Sequence, residues 1–450
     1  MSNPGRARLP RPEQGRGEPC HQKYALAAIL ALSLAVRLLG VAYMNRHLAW
    51  NLVPPDTRGV YRPLALSFAD GHGYQLGGDL REATRVAPLF PVYLAGVYRV
   101  FGHDTPTWWL GVLNAGIRCG VTLLVYLLAA RAFGRTAGLA AALLQALDPW
   151  EAFWTPFVLK ETLAVFLGVL GFWWLARALD APSRWRGLAL GMVLGLAGLA
   201  RFASLGLVPW ALLVVAVAAA RHLLAWRAAL RLAMAALLGT LVALSPWLAR
   251  NYALFGEMLV STHFAGLYFY VSNGPRAGTA PETWGYSGAS GAQSTPIVQA
   301  RDAHATVAGQ EWALAAYTMR HVVTHPADSL RLVASRVVNM WRPTFAGSSM
   351  SNLMVLGVPY CALMAVALVG GVVAWRQRPV RARAAATTRL VVWAALLFYV
   401  ALHLAFWSEI RYRQYVMPFI TVLAGMGVHA MSALRRLAPL LNESVADRAN

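Results

Sequence analysis

Charged residues are scarce in this sequence, and acidic residues are the scarcest of them. Asp, Glu, Lys and Arg make up 13% of the 450 residues, whereas a soluble domain carries about 25%. Only 19 acidic residues stand against 40 basic ones, which gives a formal net charge of +21. Because 58% of the residues are hydrophobic and fall in long blocks, the composition excludes an ordinary soluble domain and indicates an integral membrane protein.

Cysteines and the common catalytic signatures are also lacking. Two of the three cysteines lie in apolar blocks and one in a basic N-terminal stretch, so no disulfide framework is indicated. There is no P-loop, no GxGxxG before a predicted helix and no Ser–His nucleophile signature, so nothing indicates nucleotide binding. His321 and His325 are spaced i, i+4 with His304 nearby, but no acidic residue completes a metal-binding motif. No cofactor is indicated, although a divalent metal ion is left open.

The basic residues are almost all arginines, and they stand in short loops between the apolar blocks. This placement fits the orientation of a membrane protein better than the binding of nucleic acid. A bilayer crossing needs roughly 20 mostly apolar residues. The predicted crossings, of which the third and the fifth are short, are 24–44, 108–130, 136–150, 157–177, 187–200, 204–220, 232–248, 352–374, 390–407 and 414–434.

The arginines of alternate loops fall on one face, which the positive-inside rule assigns to the cytoplasm. The prediction is an all-α polytopic membrane protein with two larger extracytoplasmic loops. Its predicted parts are a disordered basic cytoplasmic tail (1–23), an N-terminal transmembrane core (24–248) with the first extracytoplasmic loop (45–107), the second extracytoplasmic loop (249–351), C-terminal transmembrane helices (352–434) and a cytoplasmic tail (435–450). Within the loops, residues 88–101, 301–320 and 326–342 are predicted to form short helices on the membrane surface, and 274–295 a mobile loop.

Two carboxylates stand where the chain enters or leaves the apolar blocks. Asp56 follows Pro54 and Pro55 just beyond the first block, where it could accept a proton from a substrate hydroxyl or simply cap a turn. Glu161 follows Lys160 at the start of the fourth block, and a carboxylate entering hydrocarbon is a functional candidate by default. Its alternatives are a local ion pair with Lys160 or a favourable acid in the first helical turn.

Several cations fall on the predicted outer face, where the positive-inside rule does not explain them. Arginine recognises phosphate through a planar fork of donors, although each such cation could instead be an interfacial residue that snorkels toward water. These cations are Arg85, Lys160, Arg201, Arg250, Arg342, Arg411 and Arg413. Only Arg37 lies clearly inside an apolar block, which is typical of a structural partner for a buried polar group.

The order of segments resembles the bacterial branch of the GT-C membrane glycosyltransferases, the family that contains protein O-mannosyltransferases and lipid A aminoarabinose transferases. The similarity runs from about residue 24 to 434 and agrees with the predicted topology. Its segments are Asp56 followed by Tyr61 and ALSFADGHGY, then ATRVAPLFPVYLAGVYRVFG, RAFGRTAGLAAALLQALDP, FVLKETL, GLALGMVLGLAGLARFASL, SPWLARNYALFGEMLVSTHFAGLYFYVSNG, HPADSLRLVASRVVNMWRP and RYRQYVMPFITVLAGMG.

The resemblance implies roles for individual residues. The acid of the first outer loop is the family's catalytic carboxylate, which corresponds to Asp56, although Thr57 stands where the family often has a second acid. The implied donor phosphate-binding residues are Arg85, Lys160, Arg201, Arg250, Arg411 and Arg413. Further active-site candidates are Tyr61, Glu161, His263 and Asn273.

The implied function is transfer of a sugar from a polyprenyl-phosphate donor to a glycolipid, glycan or protein acceptor, with inversion and with Asp56 as base. The implied place is the outer face of a bacterial cytoplasmic (inner) membrane. A transporter or flippase is an alternative, but it would be expected to carry repeated halves and ionisable residues near mid-membrane. A polysaccharide polymerase or ligase, or a scaffold without catalysis, also fits the sequence.

Overall fold

The structure of the chain is a computed structural model that describes residues 18–48, 53–262, 265–275, 277, 295–345, 347–377, 382–406 and 408–449. In these residues it is all-α, as predicted, with one isolated bridge between Leu76 and Asp79 in place of any strand. Seven helices are long and apolar enough to cross a membrane, which makes the chain a membrane protein of many spans.

The helices follow one another along the chain. They are α1 (Glu18–Leu48), α2 (Arg62–Ala69), α3 (Leu80–Thr84), α4 (Leu89–Phe101), α5 (Thr107–Phe133), α6 (Arg135–Leu147), α7 (Pro149–Trp154), α8 (Glu161–Asp180), α9 (Arg184–Ala200), α10 (Leu207–Ala220), α11 (Trp226–Phe255), α12 (Ala265–Asn273), α13 (Thr295–Ala303), α14 (Val307–Thr324), α15 (Pro326–Trp341), α16 (Met350–Asn352), α17 (Val358–Arg376), α18 (Arg383–Ala405) and α19 (Met417–Ala449). Between them lie π-helical turns at Thr57–Tyr61 and Leu353–Gly357 and 3₁₀ turns at Phe202–Gly206 and Ile410–Tyr415.

Seven of the ten predicted crossings coincide with helices that are long enough to span. The other three coincide with shorter helices: α6 has 13 residues, α9 has 17 residues, and the apolar part of α19 is Met417–Ala433. Helix α6 is a short helix packed between α5 and α19, and it leads from the arginine-rich residues at the end of α5 to α7. Its fit is close: a Cβ on Gly138 would lie 2.7 Å from the Ala130 side chain.

Small residues let α9 lie directly against α11. A Cβ on Gly187 or Gly195 would lie 2.6 Å from the Cβ of Ala235 or Ala243 respectively, and one on Gly191 would meet the Ala236 carbonyl. Glycine at every fourth position is the pattern that brings membrane helix backbones together. This packing fixes the carboxyl end of α9, where Arg201 stands.

The two ends of the bundle differ in charge. At one end, which we call the arginine-rich end, Arg131 pairs with Asp180 at 2.5 Å, and Arg383 donates to the carbonyl of Leu179. Helix α8 runs from there over 20 residues, or about 30 Å, to Glu161 at the opposite end, which we call the site end. The first loop and helices α12–α15 also belong to the site end through their contacts with α9, α11 and the 410–415 turn.

The first predicted loop folds around its own apolar cluster. Tyr61, Leu64 and Phe90 are buried together, and Trp247 of α11 packs against the same cluster. The helix predicted at 88–101 is present as α4. The first loop is therefore folded, and it packs against the helix bundle.

The second predicted loop and the termini differ in places from the expectation. The helix predicted at 301–320 is divided, because Thr306 caps α14 by accepting from the Gly309 amide at 3.1 Å. The helix predicted at 326–342 is α15. Most of the predicted mobile loop 274–295 lies outside the described residues, as do residues 1–17 of the predicted tail. Helix α1 begins at Glu18, so residues 18–23 are helical and were wrongly placed in that tail, and α19 continues through the predicted 435–450 tail to Ala449.

Candidate active site at one end of the helix bundle

Asp56 lies at the start of a tight turn on the site end. The Pro54 carbonyl accepts from the amides of Thr57 and Arg58 at 2.9 and 3.0 Å, and the π-helical turn begins there. The Asp56 side chain is 60% exposed and makes no capping hydrogen bond of its own turn. The turn-capping alternative therefore does not describe this residue.

Thr57 explains why the chain has no second acid after Asp56. Its side chain is buried, and its hydroxyl donates to the carbonyl of Val158, just before α8. A carboxylate at this position would be buried against a carbonyl oxygen, which costs free energy because neither group can donate. The hydroxyl instead ties the Asp56 turn to the start of α8.

Glu161 opens α8 and is the most buried of the acids at this site. Its side chain is 2% exposed, and it stands in the first turn, where the helix dipole favours negative charge. Burial of a carboxylate is costly unless a cation pairs with it. That cation is Arg411, whose Nε lies 3.6 Å from Oε1 of Glu161.

Arg411 brings three acids together. It lies on the 3₁₀ turn between α18 and α19, and its Nη2 lies 2.7 Å from Oε1 of Glu409. Its Nη1 lies 4.0 Å from Oδ2 of Asp56. The three nitrogens of one guanidinium therefore each face a different carboxylate, from segments far apart in the sequence.

Glu409 is a member of this cluster that the sequence analysis did not single out. Its side chain is 9% exposed, and burial raises the pKa of its carboxyl above the ordinary 4.5, against the opposing effect of Arg411. The sequence feature that could have identified Glu409 was its position two residues before Arg411, in the turn between two predicted crossings.

Aromatic rings line the cationic side of the cluster. The Arg201 guanidinium lies 4.8 Å from the ring centre of Tyr412 and 4.4 Å from that of Tyr415. Lys160 Nζ lies 5.5 Å from the ring centre of Tyr61, and burial raises the pKa of Tyr61, so its phenol stays neutral. Lys160 and Arg201 thus each lie over aromatic rings, and both charges also act on the Glu161 carboxylate.

Arg85 stands at the edge of the cluster. Its Nε lies 2.9 Å from Oε2 of Glu82, and both side chains are partly exposed. Its charge also favours ionisation of Tyr61, against the burial that raises that pKa. Arg85 is therefore near the cluster, with an acid partner of its own.

Arg250 holds the first loop on α11. It donates to the Thr84 hydroxyl and the Tyr74 carbonyl, both at 2.9 Å, and it lies over the ring of Trp247 at 4.7 Å. Its Nη1 and Nη2 atoms therefore both donate within the protein. The structure does not bring Arg250 to the Arg411 cluster, and its predicted role in binding phosphate stays a prediction.

Arg413 is directed away from the site. Its guanidinium is buried between the rings of Trp150 and Tyr360, 4.1 Å from each ring centre, and it donates to the Arg342 carbonyl at 2.8 Å. A 3₁₀ helix has three residues per turn, so residues two apart point to different sides. The structure therefore does not bring Arg413 to the acids around Arg411, although both were predicted to bind the donor phosphate.

The remaining candidates lie elsewhere. The amide of Asn273 donates to the Ala405 carbonyl at 2.9 Å and accepts from Arg336 at 3.0 Å, which is a structural position. His263 lies outside the described residues. The rings of His321 and His325 stack on an exposed surface at 4.4 Å. Among the described residues, no group of three or more His, Cys, Asp or Glu side chains could hold a metal ion.

A second buried charge cluster lies beneath the site, and the sequence analysis found only one of its members. Arg37, read as a structural partner, donates to the Ser33 hydroxyl at 2.7 Å and lies 3.7 Å from Oε2 of Glu151. Nη1 of Arg118 lies 2.7 Å from the same carboxylate oxygen. The expectation that only Arg37 lies within a span was wrong, since Arg118 stands inside α5. Arg118 could have been identified in the sequence as an arginine within the apolar block 108–130.

Comparisons with known proteins agree with this architecture. Residues 85–249 match the model of the family described as dolichyl-phosphate-mannose-protein mannosyltransferase, and no curated protein matches the chain. The oligosaccharyltransferase of Archaeoglobus fulgidus in its apo form is 15% identical, with a TM-score of 0.53 over 95% of this chain and 52% of that one. The Archaeoglobus fulgidus enzyme AglB, in complex with an inhibitory peptide and a dolichol-phosphate, is 14% identical, with a TM-score of 0.52 over 94% and 52%.

A weaker likeness connects the chain to ArnT from Cupriavidus metallidurans bound to undecaprenyl phosphate. It has 16% identity and a TM-score of 0.45, over 92% of this chain and 79% of that one, which is too low to argue from. The chain spans about half the length of the archaeal oligosaccharyltransferases that it matches. At these identities the likeness establishes a shared fold.

Proposed function

Because this chain has the fold of the GT-C membrane glycosyltransferases, we propose that it transfers a sugar from a polyprenyl-phosphate donor to an acceptor at the non-cytoplasmic face of a membrane. The proposal rests on one observation above all. Of the three carboxylates around Arg411, Glu161 and Glu409 are buried, whereas the Asp56 side chain is 60% exposed. Asp56 is therefore the carboxylate that an incoming hydroxyl can reach.

The donor phosphate belongs on the cationic side of the cluster. Lys160 and Arg201 face aromatic rings there, and Arg411 lies 4.0 Å from the Asp56 carboxylate. A guanidinium or ammonium in such surroundings stabilises the negative charge that gathers on a phosphate as it leaves. A polyprenyl tail would lie along the apolar helices, which places the phosphate at the level of the helix ends.

The reaction is an in-line displacement at the anomeric carbon. Asp56 accepts the proton of the acceptor hydroxyl, and that oxygen forms the new bond to the anomeric carbon. The bond from this carbon to the phosphate oxygen breaks, and its electron pair leaves with the polyprenyl phosphate. One attack from the opposite side gives inversion, and a single base suffices because a phosphate leaves without being protonated.

The membrane arrangement supports an outward-facing site. Arginines gather at the end of the bundle opposite the site, about 30 Å away along α8, and the positive-inside rule places that end in the cytoplasm. We propose a bacterial inner membrane with the site facing the periplasm. Glycolipids, glycans and proteins are all accessible there as acceptors. Because nucleotide sugars are not expected outside the cytoplasm, the donor there is a lipid-linked sugar.

The test uses a matched pair of variants in the full chain. Asp56→Asn removes the proposed base, whereas Asp70→Asn changes an exposed acid of the same loop that pairs with His103 at 3.0 Å. Cells that lack the gene should lose a sugar from one class of envelope glycolipid, glycan or glycoprotein, measured by mass spectrometry. Wild type and Asp70→Asn should restore that sugar, and Asp56→Asn should lower transfer by at least about 10²-fold.

Two results would overturn this proposal. Full restoration by a well-expressed Asp56→Asn variant would remove the base. A deletion that leaves every glycoconjugate intact but accumulates lipid-linked sugar on one side of the membrane would favour the flippase alternative.

A further inference from the structure

One buried arginine in a spanning helix has no part in the proposed chemistry. Arg118 stands in the middle of α5 with a side chain that is 2% exposed. A guanidinium in such a place is costly unless its donors are satisfied. Nη1 donates to Glu151 at 2.7 Å, Nη2 donates to Oε1 of Gln414 at 2.5 Å, and Nε donates to the Thr162 hydroxyl at 3.2 Å.

Two of these three partners adjoin the site. Thr162 directly follows Glu161 in the first turn of α8. Gln414 lies on the same 3₁₀ turn as Arg411, and its Nε2 donates to the Arg411 carbonyl at 2.9 Å. One guanidinium therefore contacts both segments that carry the Glu161–Arg411 ion pair.

The third partner fixes the direction of the guanidinium. Glu151 belongs to α7, and its Oε2 is shared between Arg118 and Arg37. Arg37 is held in turn by the Ser33 hydroxyl at 2.7 Å and by the Gln145 carbonyl at 3.1 Å. The position of Arg118 is thus set from α1, α6 and α7, which lie below the site.

We propose that Arg118 is a positioning residue, which acts through Gln414 and Thr162 to hold Arg411 and Glu161 in register with Asp56. This inference rests on the proposed function. The 3₁₀ turn spans only Ile410–Tyr415 between two long helices, so the Gln414 contacts fix the backbone from which Arg411 extends. A displacement of about 1 Å at a reacting group can cost on the order of 10²-fold in rate.

The variants separate the two contacts of Gln414. Gln414→Leu removes both the bond from Arg118 and the bond to the Arg411 carbonyl. Gln414→Glu still accepts from Arg118 but can no longer donate to the Arg411 carbonyl. The control is Thr388→Val, because the Thr388 side chain is also buried and its hydroxyl donates within its own helix, to the Ala384 carbonyl at 2.6 Å.

The expected result is a loss of kcat for sugar transfer of about 10- to 100-fold for both Gln414 variants, with the KM for the donor within about twofold of wild type. Thr388→Val should retain wild-type kcat. In an Arg411→Gln background, Gln414→Leu should cause no further loss, because it acts through Arg411. Losses that simply multiply in that background would show a structural effect and overturn the proposal.

A second readout does not depend on sugar transfer. The coupling between Glu161 and Arg411 is measured as the non-additivity of Glu161→Gln and Arg411→Leu in detergent-unfolding experiments on the full chain. In the Gln414→Leu background this coupling should fall to less than half, and Thr388→Val should leave it unchanged. If the coupling persists in Gln414→Leu and in Gln414→Glu, Arg118 does not position the pair. If it falls while no sugar is transferred by wild type, the positioning holds and the proposed function fails.

Discussion

Removal of the Arg411 guanidinium tests whether this cation offsets the free-energy cost of burying the acids of the site. In Arg411→Leu, Glu161 loses its partner at 3.6 Å and Glu409 loses its partner at 2.7 Å. Both carboxylates are almost fully buried, so water cannot replace the guanidinium. We expect the free energy of unfolding to fall sharply.

The magnitude follows from burial. Removal of one partner from a buried ion pair costs about 3–5 kcal/mol, whereas an exposed pair contributes about 0–1 kcal/mol. Lys160 and Arg201 remain as further positive charges near Glu161, and Arg411 itself is 20% exposed. We therefore expect about 3 kcal/mol, at the low end of that range.

The assay is unfolding of the purified chain in mixed micelles, followed by tryptophan fluorescence. Arg331→Leu is the matched control, because Arg331 pairs with Asp328 at 3.2 Å and both side chains are more than half exposed. It should change the free energy by less than about 1 kcal/mol. Glu161→Gln combined with Arg411→Leu should recover part of the loss, since no charged Glu161 is then left without a partner.

The reasoning would be refuted if Arg411→Leu and Arg331→Leu cost the same. Such a result would mean that Glu161 takes its counter-ion from Lys160 or Arg201, and that the three acids do not depend on a single guanidinium.

Two further predictions concern pH and anion binding. Burial raises the pKa of Glu409 above 4.5 in the folded chain, so its contribution to stability is fully present below its unfolded pKa and is lost as pH rises through the raised value. Glu409→Gln should therefore gain stability relative to wild type between pH 4.5 and neutrality in unfolding titrations, and a constant difference would contradict the raised pKa. Arg201→Leu should weaken binding of undecaprenyl phosphate to the full chain by about 10- to 100-fold in native mass spectrometry. Arg413→Leu should change that affinity by less than about twofold, since its charge lies between Trp150 and Tyr360.

The sequence was sufficient to predict the helical class and the gathering of five site candidates at one end of the bundle, whereas the side of the membrane on which that end lies stays a prediction. Asp56, Lys160, Glu161, Arg201 and Arg411 lie at the ends of predicted crossings, and alternate ends of successive crossings share one face. The structure brings these five residues to the same end of the bundle. Their roles in catalysis and donor binding stay predictions until the variants are measured.

The direction in which each side chain points could not be predicted from the order of the crossings. Arg411 and Arg413 are equivalent by topology, but the 3₁₀ turn sends one to the acids and the other between Trp150 and Tyr360. Arg250 stands at the end of a span, but it donates to Thr84 and Tyr74 of the first loop, which the sequence did not reveal. Arg118 was overlooked because the mean hydropathy of the block 108–130 is high despite this single charge. Its acid partner, Glu151, lies in a different helix.

The Thr57 hydroxyl has a consequence for how acceptor preference can diverge. It joins the turn that bears Asp56 to the residues that lead into Lys160 and Glu161, so the spacing between the proposed base and the proposed phosphate site is set locally. Residues 62–106 lie beyond that link. If the proposed function holds, we expect substitutions there, apart from Arg85, to alter acceptor preference more than the spacing of the reacting groups.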